Sequence, residues 1–351
     1  MSTLSANPVT IAEPALVTAL VPNWLGDVAM CTPALRALRT CFPHARIVAV
    51  GRGGSTALLA DAAFIDDTVT VPGRGAFVDL LRLRFNWPHA RPDLAVVFPH
   101  SARAALMARV LGARQTIGYD RGGRGWLLHH RREPHRESGR IAPVYMAEEY
   151  LGLVAALGAK DDGRGLELGV DPEADAAIAS QLTGDGPLIG IAPGAAFGPS
   201  KRWLPERYAA VADALREQVN ARPLLLTGPG EEDTRDAVLA ASRHGLLQLE
   251  GPGSIARLKA AINRLDLLIG NDSGPRHVAI AFGVPVICIM GPTKPVYSCG
   301  PYEKGAVLRV DVYCGPCQQP TCATDHRCMT RITAGSVVEA AIAHLGDRVA
   351  G

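Results

Sequence analysis

Short apolar runs alternate with amphipathic stretches along most of this chain. The runs at 15–21, 46–50 and 93–98 are rich enough in Val, Ile, Leu and Ala to predict buried strands, and the shorter 115–118 (QTIG) is predicted as another. Among them, residues 33–41, 101–111 and 145–157 repeat their apolar positions at helical spacing. A second series starts at 187, with strands predicted at 188–192, 224–227, 267–269 and 286–290. Helices are predicted around 205–217, 231–243, 254–263 and 274–282, and a last one at 335–345. Such alternation implies parallel sheets flanked by helices. The fold class expected is therefore α/β, with two doubly wound domains facing each other across a cleft. Ligands would then bind at the carboxyl ends of the strands. Residues 1–14 predict a loose arm. Gly/Asp-rich stretches at 161–165 and 184–187 bracket a connection, which puts a first domain at 15–175 and a second at 185–351.

Composition narrows the partners. At 351 residues, against roughly 150 per domain, two domains are expected. The net charge is only +2, so no global field points to nucleic acid, and 5% aromatics leave little for base stacking. The first twenty residues contain no Lys or Arg and include Glu13, unlike a signal peptide. The longest apolar stretch, 278–290, is too short to span a bilayer and contains Pro285. A soluble, cytoplasmic protein is expected.

The candidate chemistry gathers at strand-to-helix turns. In 266–292 an apolar run ends at Gly270, and Asn271, Asp272, Ser273 and Gly274 follow before a helix carrying His277. Free N–H groups and the positive end of the helix dipole at such a point suit an anion such as a diphosphate. For one isolated turn, simple helix capping by Asp272 or Ser273 explains as much. In 191–208 a strand leads through a Gly/Ala/Pro loop to Lys201, Arg202 and Trp203, with Pro205 at the start of a helix. A lysine after a small-residue loop suits a diphosphate because backbone and ammonium both approach it, although the Walker ending is missing. In 21–39 Asp27 stands at the lip of the first sheet, either as an N-cap or as a base toward a sugar hydroxyl. Trp24 reads equally as cleft wall or core. After the strand at 224–227, Glu231 and Glu232 open a helix, where one of them could meet ribose hydroxyls.

Three segments occur in order, at 22–27 (PNWLGD), 193–203 (PGAAFGPSKRW) and 271–279 (NDSGPRHVA). Together they resemble the signatures of the ADP-heptose:lipopolysaccharide heptosyltransferases, glycosyltransferase family 9, and are most like those of the heptosyltransferase II group. The resemblance covers about 15–345. It implies the GT-B architecture of two Rossmann-like domains and inverting transfer of a heptose from ADP-L-glycero-D-manno-heptose to the lipopolysaccharide inner core. Asp27 becomes the catalytic base. Lys201 meets the ADP diphosphate, Asp272, Ser273, Gly274 and His277 build the donor site, and Glu232 falls at the adenosine ribose. Pro275-Arg276 departs from the Leu-Met or Leu-Ser usual in the family, and Arg276 adds a charge with no assigned place. No cofactor is required for catalysis. Partners would be ADP-heptose and a Kdo- or heptose-terminated lipid A acceptor, with peripheral association at the inner membrane and no nucleic acid. Heptosyltransferase I, another family 9 transferase and a non-catalytic nucleotide-sugar binder are the alternatives. A nucleotide-dependent oxidoreductase is disfavoured, because Gly-x-Gly-x-x-Gly is missing after the first strand.

Two further clusters remain. The segment 121–140 holds six arginines and three histidines against Glu133 and Glu137, which as a rule is a solvated loop. Its place in the acceptor half makes Arg121 and Arg124, with Ser101 and Arg103, candidates for acceptor carboxylates or phosphates. Cys314, Cys317, Cys322 and Cys328 lie close together with His326 among them. They fit a structural zinc or reduced, buried thiols equally well.

Overall fold

The computed structural model describes Val9, residues 11–73 and residues 77–349. It divides into two compact units, residues 1–169 and 170–351. Most of the arm expected at 1–14 lies outside the described residues; Val9 donates its N–H to the Ala156 carbonyl at 2.8 Å.

In the first unit, β1 (Leu16–Leu20) is followed by α1 (Leu25–Cys41), β2 (Arg46–Gly51), α2 (Gly53–Leu59) and β3 (Asp67–Thr70). Next come α3 (Phe77–Phe85), β4 (Leu94–Val97), α4 (Ala102–Val110), β5 (Gln115–Tyr119), a 3-10 turn (Gly125–Leu127) and β6 (His130–Arg132). A small hairpin, β7 (Arg136–Glu137) and β8 (Arg140–Ile141), precedes α5 (Met146–Ala155). The six-stranded sheet runs β3-β2-β1-β4-β5-β6, all parallel, so the winding reverses between β1 and β4. Every residue of β1 is buried, as a central strand covered on both faces requires.

Helix α1 begins at Leu25, two residues before Asp27, the N-cap candidate, and runs on through the helical stretch expected at 33–41, because Pro33 is tolerated inside it. Pro33 lacks the N–H that would reach the Ala29 carbonyl. The Thr32 hydroxyl donates to that oxygen instead, at 2.7 Å. The stretch 161–165, expected as part of a connection, is pinned to α1. Buried Arg36 holds Asp162 through Nε at 2.6 Å and Nη2 at 2.5 Å, and Glu167 through Nη1 at 3.1 Å.

The second unit starts with α6 (Pro172–Ala179), so the boundary expected at 175 falls inside a helix. That helix is tied to its own unit by Arg264, which grips Asp175 at 2.7 and 3.0 Å. There follow β9 (Leu188–Ala192), α7 (Pro205–Val219), β10 (Arg222–Leu225), α8 (Glu232–Ala241), α9 (Ile255–Asn263) and β11 (Leu267–Asn271). The unit ends with α10 (Gly274–Ala281), β12 (Val286–Ile289), β13 (Gly305–Leu308), α11 (Arg327–Thr330) and α12 (Ala334–Val349). Its five-stranded parallel sheet runs β10-β9-β11-β12-β13 and reverses between β9 and β11. The core on one face joins Ile189, Ile191 and Ile269 of the strands to Trp203, Tyr208 and Leu215, and to Val337 and Ala341 of α12.

Candidate functional site

The reversal point of the second sheet brings together two loops, one after β9 and one after β11. Asn271, the last residue of β11, fixes both. Its side-chain N–H groups donate to the carbonyls of Pro193 at 2.7 Å and Gly194 at 3.3 Å. Its Oδ1 accepts from the Trp203 backbone N–H at 3.2 Å and the Tyr208 hydroxyl at 2.9 Å. The short turn Pro199–Lys201 is thereby set against the start of α10. Lys201 Nζ lies 2.9 Å from both the carbonyl and Oδ2 of Asp272, and 5.2 Å from the centre of the Phe197 ring.

Asp272 is buried and fully engaged. Arg276 Nη1 donates to Oδ1 at 2.7 Å and the Thr293 hydroxyl to Oδ2 at 2.7 Å. Burial opposes its ionisation, but the Lys201 and Arg276 cations override that and hold the carboxyl well below the usual carboxylate range. Arg276 itself is 1% exposed and paired bidentately with Glu303, at 2.6 Å for both bonds. The charge left unplaced by the sequence is thus an internal anchor between α10 and the loop before β13.

Ser273 occupies the N-cap of α10, yet its side chain makes no capping bond. Its Oγ and the Nδ1 of His277 are buried with no hydrogen-bond partner among the described residues. Burial, with the Arg276 and Lys201 charges, pushes His277 down to about 3, so it stays neutral. Unpaired polar atoms of this kind, a helix start and a lysine with donors to spare fit an anionic ligand that accepts hydrogen bonds. Lys201, Asp272, Ser273, Gly274 and His277 therefore converge.

Glu232 turns to its own loop, accepting from the Gly230 N–H at 3.1 Å, and is exposed. It is the neighbouring Glu231 whose carboxylate reaches across to the β9 loop. It accepts from the Gly228 N–H at 2.8 Å and packs so closely on Gly194 that a Cβ there would collide with it.

The four clustered cysteines and His326 line one cavity with Ser200. Cys322 and Cys314 both face the Thr324 hydroxyl, at 3.5 and 4.0 Å, while His326 Nε2 meets the Ser200 carbonyl at 2.7 Å. Among the described residues no group of three or more His, Cys, Asp or Glu is arranged to hold a metal ion. The cysteine loop instead braces the lysine turn, since Ser200 also bonds Gln319 and Pro320 carbonyls at 2.5 and 3.0 Å. Gly198 accommodates this contact: it has φ 152°, and a Cβ would strike the Pro320 carbonyl.

In the first unit, Asp27 stands at the third position of α1, not at its N-cap, and is half-buried beside Cys31 and Tyr150. A carboxylate in a helix's first turn is favoured by the dipole. Trp24 holds the N-cap and is 55% exposed, which removes the core alternative. A cavity at the carboxyl ends of the strands is lined by Asn23, Arg52, Ser101 and Arg103, among others. Asp27 lies outside this lining. The Ser101 hydroxyl caps α4 by accepting from the Ala104 N–H at 3.2 Å.

Arg121 donates to buried Glu149 at 2.6 Å. Arg124, expected to contact acceptor, is largely tied to its own loop. It is 1% exposed; its Nε donates to the Tyr119 carbonyl at 2.9 Å and its Nη1 to the carbonyls of Ser101 at 2.9 Å and Pro99, while Nη2 is buried with no hydrogen-bond partner among the described residues. Burial lowers it to about 10, with Asp120 opposing and Arg121 adding to the shift. It shapes the loop that carries Ser101 and Arg103.

Comparison with known proteins identifies the family of the chain. The family model for glycosyltransferase family 9 (heptosyltransferase) matches residues 88–327. Lipooligosaccharide heptosyltransferase 2 of Haemophilus influenzae is 28% identical over 302 residues, covering 82% of this chain and 87% of the relative. The glycosyl transferase family 9 structure from Veillonella parvula superposes with TM-score 0.84 at 25% identity, over 97% of this chain and 100% of that one. E. coli ADP-heptose lps heptosyltransferase II superposes with TM-score 0.77 at 25% identity, over 95% and 99%. The chain thus has the α/β, GT-B type of fold. The chain belongs to glycosyltransferase family 9, the heptosyltransferases.

Proposed function

We propose that this enzyme transfers a heptose from ADP-L-glycero-D-manno-heptose to the lipopolysaccharide inner core with inversion, as a heptosyltransferase II. The observation that carries the donor half is the convergence of Lys201, the start of α10 and the unpaired Ser273 and His277 atoms at one sheet reversal. The diphosphate sits on the first turn of α10. Lys201 neutralises the charge that develops as the sugar–oxygen bond breaks. Asp27 takes the proton of the acceptor hydroxyl while that oxygen attacks the anomeric carbon, which passes through an oxocarbenium-like state. A single displacement needs one base and no covalent nucleophile.

The adenosine ribose meets a carboxylate of the β10–α8 turn. The resemblance favours Glu232, and the packing on Gly194 favours Glu231. Arg103 and Arg121 receive acidic groups of the acceptor, with Arg124 and Ser101 shaping the loop. A structural zinc at Cys314, Cys317, Cys322 and Cys328 has their shared cavity in its favour and the lack of an arranged ligand set against it. No step of the transfer passes through it. A cytoplasmic enzyme working at the inner-membrane surface fits a lipid-linked acceptor.

The test is incubation with ADP-heptose and either a Kdo-terminated or a heptose-terminated acceptor, with ADP release followed. Turnover is expected on the heptose-terminated acceptor. Asp27→Asn should bind ADP as before while turnover drops by about 10²–10⁴-fold. A variant that keeps its rate removes Asp27 from the role of base.

A further inference from the structure

The first unit carries a surface that the transfer chemistry does not use. Helix α3 is two-sided: Leu80 and Leu83 are 2% exposed, and Leu83 joins the core formed with Ala104, Ala105 and Ala108 of α4 and with Leu127 and Leu128. Helices α3 and α4 and the turn Gly125–Leu127 thus form one layer on the same face of the sheet. The outward face of α3 is apolar where solvent should demand polarity. Val78, Leu81 and Phe85 follow at i, i+3 and i+7 and are 48%, 39% and 85% exposed. Arg82 shares that stripe and Arg84 flanks it, both exposed. Asp79, the sole acid of the helix, is buried and lies 3.6 Å from Arg82. The outward face therefore offers apolar side chains and positive charge with no exposed carboxylate. In the same layer, beside inward Leu127, Trp126 is 74% exposed.

We propose that this face of α3, with Trp126 as a neighbouring anchor, docks the enzyme on an anionic phospholipid surface. An aliphatic and aromatic stripe enters the boundary between headgroups and acyl chains. The arginines lay their stems along it and keep their guanidinium groups among lipid phosphates. A protein partner would be expected to meet acids as well as bases, whereas an anionic bilayer matches the single sign of charge. This docking deepens the proposed function, because it brings the acceptor-side unit to the surface where a lipid-linked acceptor resides.

The experiment is co-sedimentation of the full-length enzyme with phosphatidylglycerol/phosphatidylethanolamine vesicles and with phosphatidylcholine vesicles. Wild type, Leu81→Ser/Phe85→Ser and Arg84→Ala are compared at low and high salt. Wild type should pellet with the anionic vesicles and much less with the neutral ones, and salt should release it. The double serine variant should partition about tenfold more weakly or worse. Both substituted residues are exposed, so thermal unfolding and turnover of a detergent-dispersed, short-chain acceptor should match wild type. Wild type that stays in the supernatant at low salt, or a serine variant that pellets equally, overturns the proposal. So does light scattering that shows wild type as a dimer which the serine variant dissociates, with vesicle binding unchanged. Vesicle binding that is lost in the variant while no acceptor is turned over by wild type would instead retain the surface and overturn the proposed reaction.

Discussion

Lys201 shows how one ammonium can be both restrained and available. Two of its contacts go to Asp272, and an ammonium has three N–H donors, so one remains for a phosphate oxygen. Asp272 does not cancel the lysine alone, because Arg276 and Thr293 share its carboxylate. His277, enclosed by the same charges, is held neutral with a pKa of about 3, so the folded protein refuses a proton that the unfolded chain accepts. Its contribution to stability is therefore complete above the free histidine value, about 6.5, and declines as the pH falls from there toward 3. At pH 5 the loss from this residue is about 2 kcal/mol. His277→Gln should flatten the corresponding part of a stability-against-pH curve measured by urea unfolding, whatever its absolute stability. An unchanged slope between pH 7 and 5 would show that another group titrates there.

At the scale of elements, the central strands of both sheets were legible because burial on two faces leaves uninterrupted apolar runs. Of the edge strands only β10 was, at the run expected over 224–227; the other three were not. β3 (DTVT) mixes polar with apolar residues, β6 (HRR) is wholly polar, and β13 (GAVL) is four small-to-medium residues left half-exposed, so their pairing is decided by the sheet and not by a buried apolar run. Apolar spacing showed α1 only from Pro33 on, since the Thr32 hydroxyl that replaces the missing N–H cannot be inferred from spacing, while Asp27 as a capping candidate marked the helix start. The loops after β9 and β11 were readable as carriers of the candidate donor residues, because their residue types stand out at strand-to-helix turns. Glu303 carried no such signal: a lone carboxylate gains meaning only when β13 brings its preceding loop to Arg276. That pair, with 0% and 8% of its side chains exposed, should behave as a buried ion pair fastening α10. Arg276→Met, which leaves Glu303 buried without its cation, should cost about 3–5 kcal/mol. Adding Glu303→Gln should recover part of that loss, as a double-mutant cycle in urea would show. Strict additivity of the two changes would mean that the pair is not what holds the helix.

Across the whole molecule, the two units wind their sheets differently, 3-2-1-4-5-6 in the first and 2-1-3-4-5 in the second, and each places its polar groups at its own reversal point. The chemistry is divided in the same way. Asp27, Arg103 and Arg121 are carried by the first unit, while Lys201, Asp272, Ser273 and His277 are carried by the second. If that division reflects acceptor and donor, ADP alone should slow amide exchange in one unit only. At an ADP concentration of about 100 times Kd, binding contributes about 2.7 kcal/mol to the bound state. Hydrogen-exchange mass spectrometry should register it as protection in the peptides covering 193–201 and 271–281. Peptides covering 22–31 and 98–110 should exchange as in the free enzyme, because their groups await the acceptor. Lys201→Ala should weaken the protection without moving its location, since the helix start and the Asn271-fixed loops survive the substitution. Protection that appears first around 22–31, or that persists undiminished in Lys201→Ala, would mean that the nucleotide is held by other groups and that the assignment of donor and acceptor to the two sheets is wrong.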